Sequence, residues 1–297
     1  MTIRPTIAFG PETKRTSWAW VGFDVGRELS KYFNVIFFPK NIKQVPQADL
    51  VFFIKNPPDN EVWTNLKHRS IKMVYCPIDN YSEESAIQKH AAFLGQCEAI
   101  FVHCSRLSPI LKPYCKQVDF IEHYNRFGLS EMTAYKPSGY AVWVGTMENL
   151  PPVINWLQEH PLGLEIKFVT DYPVLFKDCI TGALPIKDNH ELIKWHPKVQ
   201  NDIMSGAKVA FDIKGSSFNQ MHKPPVKAQQ FIVSGIPSQP TKKATPQSIL
   251  WPTDLKYRHR WKWNAGSQLT TGKKLKRLVK HCENGLPLKI SDYITSA

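Results

Sequence analysis

The segment Lys223 to Gln239, KPPVKAQQFIVSGIPSQ, brings two ammonium groups, a prolyl helix start and a glycine stop into one short stretch. Pro224 and Pro225 suit the first helical positions, where no amide hydrogen bond is lost. Gly235 suits the left-handed residue that closes a helix. The spacing predicts a helix of about nine residues between them. Ala228, Phe231 and Ile232 fall on one face for burial, whereas Lys223, Lys227 and Gln230 share another. A helix N-terminus beside two ammonium groups can receive phosphate oxygens, because its orphan amides and its dipole both favour an anion.

The elements that must position this segment are set by a chain of 297 residues, 42% hydrophobic with 9 Trp and 16 Phe, which is enough for two cores. No run approaches the roughly 20 apolar residues of a bilayer span, and the N-terminal MTIRPTIAFG lacks the apolar core of a signal peptide. A soluble, cytoplasmic protein is expected. The six cysteines, Cys76, Cys97, Cys104, Cys115, Cys179 and Cys282, contain no CxxC pair, so reduced thiols are expected and no metal site. A formal net charge of +13 points to anionic partners. Much of that charge is local, in YRHRWKW at Tyr257 to Trp263 and KKLKRLVKH at Lys273 to His281. The tail reads as a solvated helix face, or as a peripheral contact for an anionic membrane surface or an acidic acceptor. Arg and Trp interleave there as phosphate and stacking groups would, yet no binding module surrounds them, and nucleic acid is the least favoured partner.

In the first half, short apolar runs alternate with helical patterns, the mark of βαβ units and a parallel sheet. Strands are expected at Thr6 to Gly10, Val35 to Phe38, Leu50 to Ile54, Lys72 to Cys76, Ala99 to His103 and Val118 to Glu122. Helices are expected at Val21 to Tyr32, Asn60 to Lys67, Glu83 to Gln96 and Arg106 to Tyr114. The runs VFFI and IFVH are apolar without alternation, as strands covered on both faces should be. Periodicity lapses in FGLSEMTAYKPSG, which predicts a link at 129–139 between a domain over 1–128 and another over 140–270. The second series has strands at Ala141 to Gly145, Leu164 to Val169, Leu192 to Trp195 and Lys208 to Ile213. Helices are expected at Pro152 to Glu159 and Val199 to Ser205, and the basic tail, 271–297, is expected to pack back on the first domain.

Two Rossmann-like domains in series, with these glycine, proline and lysine marks, resemble glycosyltransferases of the GT-B fold. AVWVGTMENLPPVINWL is similar to the strand, turn and helix that open the family's donor domain, and KPPVKAQQFIVSGIPSQ resembles its phosphate-site helix and Gly-x-Pro turn. WHPKVQNDIMSGAKVAFDI and IFVHCSRLSPILKPYCKQVDFIEHYN resemble later units of the donor and acceptor domains. The resemblance implies an α/β chain with two parallel sheets facing across a cleft. It implies sugar transfer from a nucleotide-sugar donor to a glycan, polysaccharide or lipid-linked acceptor, without metal or other cofactor. Many retaining members carry two glutamates where His222 and Gln230 stand here, so neither carboxylate carries over. A catalytically degenerate binding or scaffold protein on the same frame is therefore the alternative.

Under this resemblance Lys223 and Lys227, with the backbone amides of Gly145 and Thr146, meet the departing diphosphate, whose growing charge fixed cations stabilise. Gln230, Asp171, Trp195 and His222 are candidates for ribose and base, since loops at the carboxyl ends of parallel strands bind ligands in α/β folds. Gln230 has both a donor and an acceptor for ribose hydroxyls. Asp171 can equally cap a turn, and Trp195 can equally be core. An acceptor hydroxyl needs a base. Asp79, in VYCPIDNY just after a strand, is the first candidate and Asp24 the second, with helix capping near Glu83 as the other role for Asp79. Gly10, Ser17, Gly22 and His103 belong to the acceptor-side loops, and His103 and His123 can equally be structural.

Overall fold

The structure, a computed structural model, describes residues 4–40, 45–124, 126–129, 131–134, 136–171 and 190–240. These residues divide into two compact units, 4–124 with 222–224, and 126–221 with 225–240.

The first unit is a six-stranded parallel sheet in the order β2-β1-β3-β4-β5-β6. Its strands are β1 (Thr6–Glu12), β2 (Asn34–Pro39), β3 (Leu50–Ile54), β4 (Lys72–Cys76), β5 (Ala99–Val102) and β6 (Val118–Phe120). π-Helical turns at Trp18–Phe23 run directly into α1 (Asp24–Leu29), and α2 is Asn60–His68. The expected helix Glu83 to Gln96 is instead two short ones, α3 (Glu84–Gln88) and α4 (Ala91–Leu94). Breaking at Lys89 and His90 turns Phe93 onto Phe53 and Tyr75, with ring centroids 5.8 and 5.3 Å apart. Ser105–Leu107 forms a 3-10 turn ahead of α5 (Ser108–Leu111).

All five residues of β3 are buried, because it lies between neighbours and under layers on both faces. Ile7, Phe9, Leu50, Phe52, Ile54 and Val74 form the core on one face, where Phe9 stacks on Phe52 at 4.6 Å. On the other face Phe38 meets Phe53 edge-on at 6.0 Å. The phenyl ring of Phe38 occupies the place of a side chain at Gly10, and the Trp18 indole does the same at Gly22. Both glycines are thus packing positions.

The second unit is a five-stranded parallel sheet, β11-β10-β7-β8-β9. Its strands are β7 (Tyr140–Gly145), β8 (Ile166–Thr170), β9 (His190–Lys194), β10 (Ala207–Asp212) and β11 (Ser238–Pro240). The helices are α6 (Pro151–Glu159), α7 (Pro197–Ser205), the one-turn α8 (Phe218–Met221) and α9 (Val226–Val233). Alternation along β7 sends Ala141 and Trp143 into one core, with Leu150, Val153 and Phe168. Val142 and Val144 enter another core, with Met204, Phe231 and Ile236. In the stretch expected as a link, the Leu129 amide donates to Ser234 Oγ and the Thr133 amide to the Ser234 carbonyl, each at 2.9 Å.

Helix α9 starts at Val226, with Pro225 at the cap position and the Gln229 amide donating to its carbonyl at 3.0 Å. It ends in a full Schellman pattern: Gly235 has φ +80°, its amide reaches Ile232 O, and the Ile236 amide reaches Phe231 O. Cys76, Cys97, Cys104 and Cys115 are buried free thiols. The expectations over Tyr172 to Asn189, Cys179, Cys282, YRHRWKW and the 271–297 tail lie outside the described residues.

Candidate functional site

In the second unit the candidate residues gather where β7 and β8 end. Gly145 pairs in register with Thr170. The Lys227 ammonium lies 5.0 Å from the centroid of the Trp143 ring, close enough for cation–π attraction. A Cβ added at Gly145 would stand 2.3 Å from the Trp143 ring and 2.6 Å from Lys227 Nζ. Glycine therefore leaves the room in which indole and ammonium meet. The structure brings Lys227 and Gly145 together as the sequence reading paired them. Trp143, which that reading placed only in a strand, supplies the ring that faces the lysine.

Thr146 follows with extended backbone and opens the 3-10 turn Met147–Asn149, accepting a hydrogen bond from Asn149 Nδ2. Asp171 Oδ1 accepts from the Met147 amide at 2.8 Å and from the Thr170 hydroxyl at 3.4 Å. It pins the turn after β7, which is the capping alternative. Trp195 donates from Nε1 to Gln200 Oε1 at 2.7 Å and meets Phe127 edge-on at 5.8 Å. Gln200 in turn donates to the Phe127 carbonyl at 3.0 Å. Trp195 is thus knitted into the packing of its own unit. Gln230 is buried at 4% exposure with its Nε2 unpaired. Burying a side-chain amide without a partner costs stability unless something arrives to pair it. His222 and Lys223 are half-buried and belong with the first unit, whereas Lys227 and Gln230 belong to the second.

In the first unit a crevice of about 520 Å³ opens where β1 to β4 end. Asp79 lines it from the turn after β4, in a left-handed conformation with φ 48°. The N-cap residue of α3, Glu83, makes no side-chain cap bond. Lys55, after β3, is left-handed as well, with φ 69°. The buried Tyr75 hydroxyl ties the two turns, donating to the Lys55 carbonyl at 2.8 Å and accepting from Asn80 Nδ2 at 3.1 Å.

Asp24 is the first residue of α1. It accepts a hydrogen bond from the Tyr124 hydroxyl and pairs with Arg27 at 3.9 Å, so it ties the helix to the chain after β6. Ser17 precedes the π-helical turns without capping them. His103 is buried: its Nδ1 donates to the Ile121 carbonyl at 2.7 Å, and its ring stacks on His123 at 4.2 Å. Burial pulls the His103 pKa down to about 4 and that of His123 well below the ordinary range, with the neighbouring His103 adding to the latter. Both imidazoles are neutral at pH 7, and a base so weak and so enclosed suits a structural role.

Among the described residues no group of three or more His, Cys, Asp or Glu side chains could hold a metal ion. Also among them, no helix is long and apolar enough to cross a membrane.

Known proteins bear on the fold. No protein-family model matches the sequence, and no curated protein matches it. Solved structures do. HepE of Anabaena in complex with UDP and glucose is similar at a TM-score of 0.53 and 10% identity, over 79% of this chain and 80% of that one. The same protein in complex with UDP-glucose gives 0.52 and 11%, over 80% of each chain. Two parallel α/β sheets in series with this likeness define the GT-B fold of glycosyltransferases.

Proposed function

We propose that the chain is a GT-B glycosyltransferase that moves a sugar from a nucleotide-sugar donor to a glycan or lipid-linked acceptor. The observation that carries this reading is the Lys227 ammonium held beside Gly145 at the carboxyl end of β7. Ligands of α/β folds bind at such strand ends. As the acceptor oxygen bonds to the anomeric carbon, the bond from that carbon to the diphosphate breaks and its electron pair leaves with the diphosphate. Lys227, Lys223 and the amides of Gly145 and Thr146 would stabilise that charge without a metal, and the acceptor proton would pass to a base, for which Asp79 is the candidate. Gln230, buried with an unpaired amide nitrogen, is the candidate for a ribose hydroxyl. HepE was solved with UDP and with UDP-glucose, which makes UDP the first nucleotide to try.

The test is thermal stabilisation by UDP, GDP, ADP and CMP, followed by nucleotide release from the matching sugar conjugate. A ligand that binds only the folded state raises the midpoint by mass action. A selective rise, lost in Lys227→Ala and Lys223→Ala, is the expected result. No rise with any nucleotide at millimolar concentration would sink the donor site. Because position 230 holds glutamine in place of a carboxylate, a binding protein on the same frame is the second reading, recognised by nucleotide affinity without turnover.

A further inference from the structure

The crevice at the ends of β1 to β4 is built for charge. Lys14 and Arg15 follow β1, Lys40 follows β2 and Lys55 follows β3, against the two carboxylates of Glu12 and Asp79. Lys14, Arg15 and Lys40 are exposed and make no ion pair with another described residue. Cations gathered in a concave site raise the local concentration of anions. The remaining described lining residues, Thr13, Asn56 and Asn80, offer hydroxyl and amide groups.

The walls are also fixed in place. Of the three described non-glycine residues with positive φ, two, Lys55 and Asp79, line this crevice. Strained residues persist where their surroundings over-determine them, often at ligand clamps. Here the surroundings are the Tyr75 hydroxyl, bonded to the Lys55 carbonyl and to Asn80, and the Lys55 amide, which donates to Cys76 O at 2.8 Å.

We propose that this crevice binds an acidic oligosaccharide, a sugar chain whose anionic groups meet Lys14, Arg15 and Lys40 and whose hydroxyls meet Thr13, Asn56 and Asn80. The volume, about 520 Å³, lies in the range of small-molecule sites. Arg15 presents a planar fork that matches a carboxylate in two hydrogen bonds. Among the described lining residues none carries an aromatic ring, which disfavours single-stranded nucleic acid, whose bases stack on such rings. Calling the sugar an acceptor rests on the transferase reading; the site itself does not.

The experiment is titration of the full-length protein with an oligogalacturonate pentamer, with neutral maltopentaose, and with an oligouridylate of equal length. The pentamer is expected to bind, with affinity falling as salt rises, and maltopentaose at least about tenfold more weakly. The triple variant Lys14→Gln, Arg15→Gln, Lys40→Gln is expected to lose about tenfold or more in affinity at an unchanged melting midpoint, because all three side chains are exposed. Arg15→Lys should lose part of it, keeping the charge but not the fork. Glutamine at Lys273, Lys274, Lys276 and Arg277 should leave it unchanged. Equal binding of the two sugars, a silent triple variant, or loss only in the tail variant would overturn the assignment. So would oligouridylate binding tighter than the pentamer through the same three residues. Competition by UDP would give these cations to the donor diphosphate and also overturn it. Pentamer binding without any nucleotide binding would leave the crevice standing and remove the transferase reading. Nucleotide binding without pentamer binding would do the reverse.

Discussion

The Lys227 ammonium and the Trp143 indole face each other at 5.0 Å in the space that a side chain at Gly145 would fill. A methyl group there would collide with both, at 2.3 Å from the ring and 2.6 Å from Nζ. Trp143 is 1% exposed and has nowhere to go, while the lysine is the far end of a flexible side chain. Gly145→Ala should therefore displace Lys227 first. The expected outcome is a stability loss of about 1–3 kcal/mol by thermal melting, with a nucleotide affinity at least about tenfold weaker in titration. Unchanged affinity would show that the position of this lysine is irrelevant to the donor.

Lys227→Met tests the charge separately from the volume. Its stem still covers Trp143, so the melting midpoint should stay within about 1 kcal/mol of the wild type. Turnover with a nucleotide sugar should fall by about 10²–10³, the usual loss when one stabilising group at a transition state is removed. A drop in affinity with turnover intact would instead make the lysine a ground-state binding group.

The strands, and with them the α/β class, were legible because buried parallel strands read as apolar runs: β3 and β4 have the expected bounds, Leu50–Ile54 and Lys72–Cys76. The helix Glu83 to Gln96 was not, because the break at Lys89 serves the contact of Phe93 with Phe53 and Tyr75, and a tertiary contact leaves no periodic trace. At the candidate site, residue types and local spacing pointed to Lys227 and Gly145. Trp143 was missed because its partner is far away in sequence. Asp24 accepts a bond from Tyr124 that nothing near it in sequence announces. The cations of the crevice did leave a signal, Lys or Arg just after each of the first three strands, which strand assignment alone passes over.

Tyr75→Phe should show what clasping two left-handed turns is worth. The hydroxyl is buried, and burial pushes its pKa up, so at neutral pH it is a donor to Lys55 and an acceptor from Asn80. Its removal leaves a buried carbonyl short of a partner, at about 1–3 kcal/mol in chemical denaturation. If the turns shape the crevice, oligogalacturonate affinity should fall as well, although Tyr75 does not line it. A stability loss with affinity intact would confine the clasp to folding.

The stacked histidines make stability depend on pH with a definite sign. His103 has its folded pKa lowered to about 4, and His123 is lowered as well, both chiefly by burial, against an unfolded value of about 6.5. Below that value the unfolded chain binds more protons than the folded one, so stability must fall as the pH drops. The stabilisation is complete above about pH 6.5 and is lost as the pH falls toward the folded values. For His103 alone the linkage is on the order of 3 kcal/mol across that window. Melting midpoints between pH 7 and pH 4 should decline in the wild type. The double variant His103→Gln, His123→Gln should decline less steeply, even though it starts lower at pH 7 for want of the stacked rings. An identical slope in the variant would assign the acid sensitivity to other groups and show that the pair is already hydrated in the folded protein.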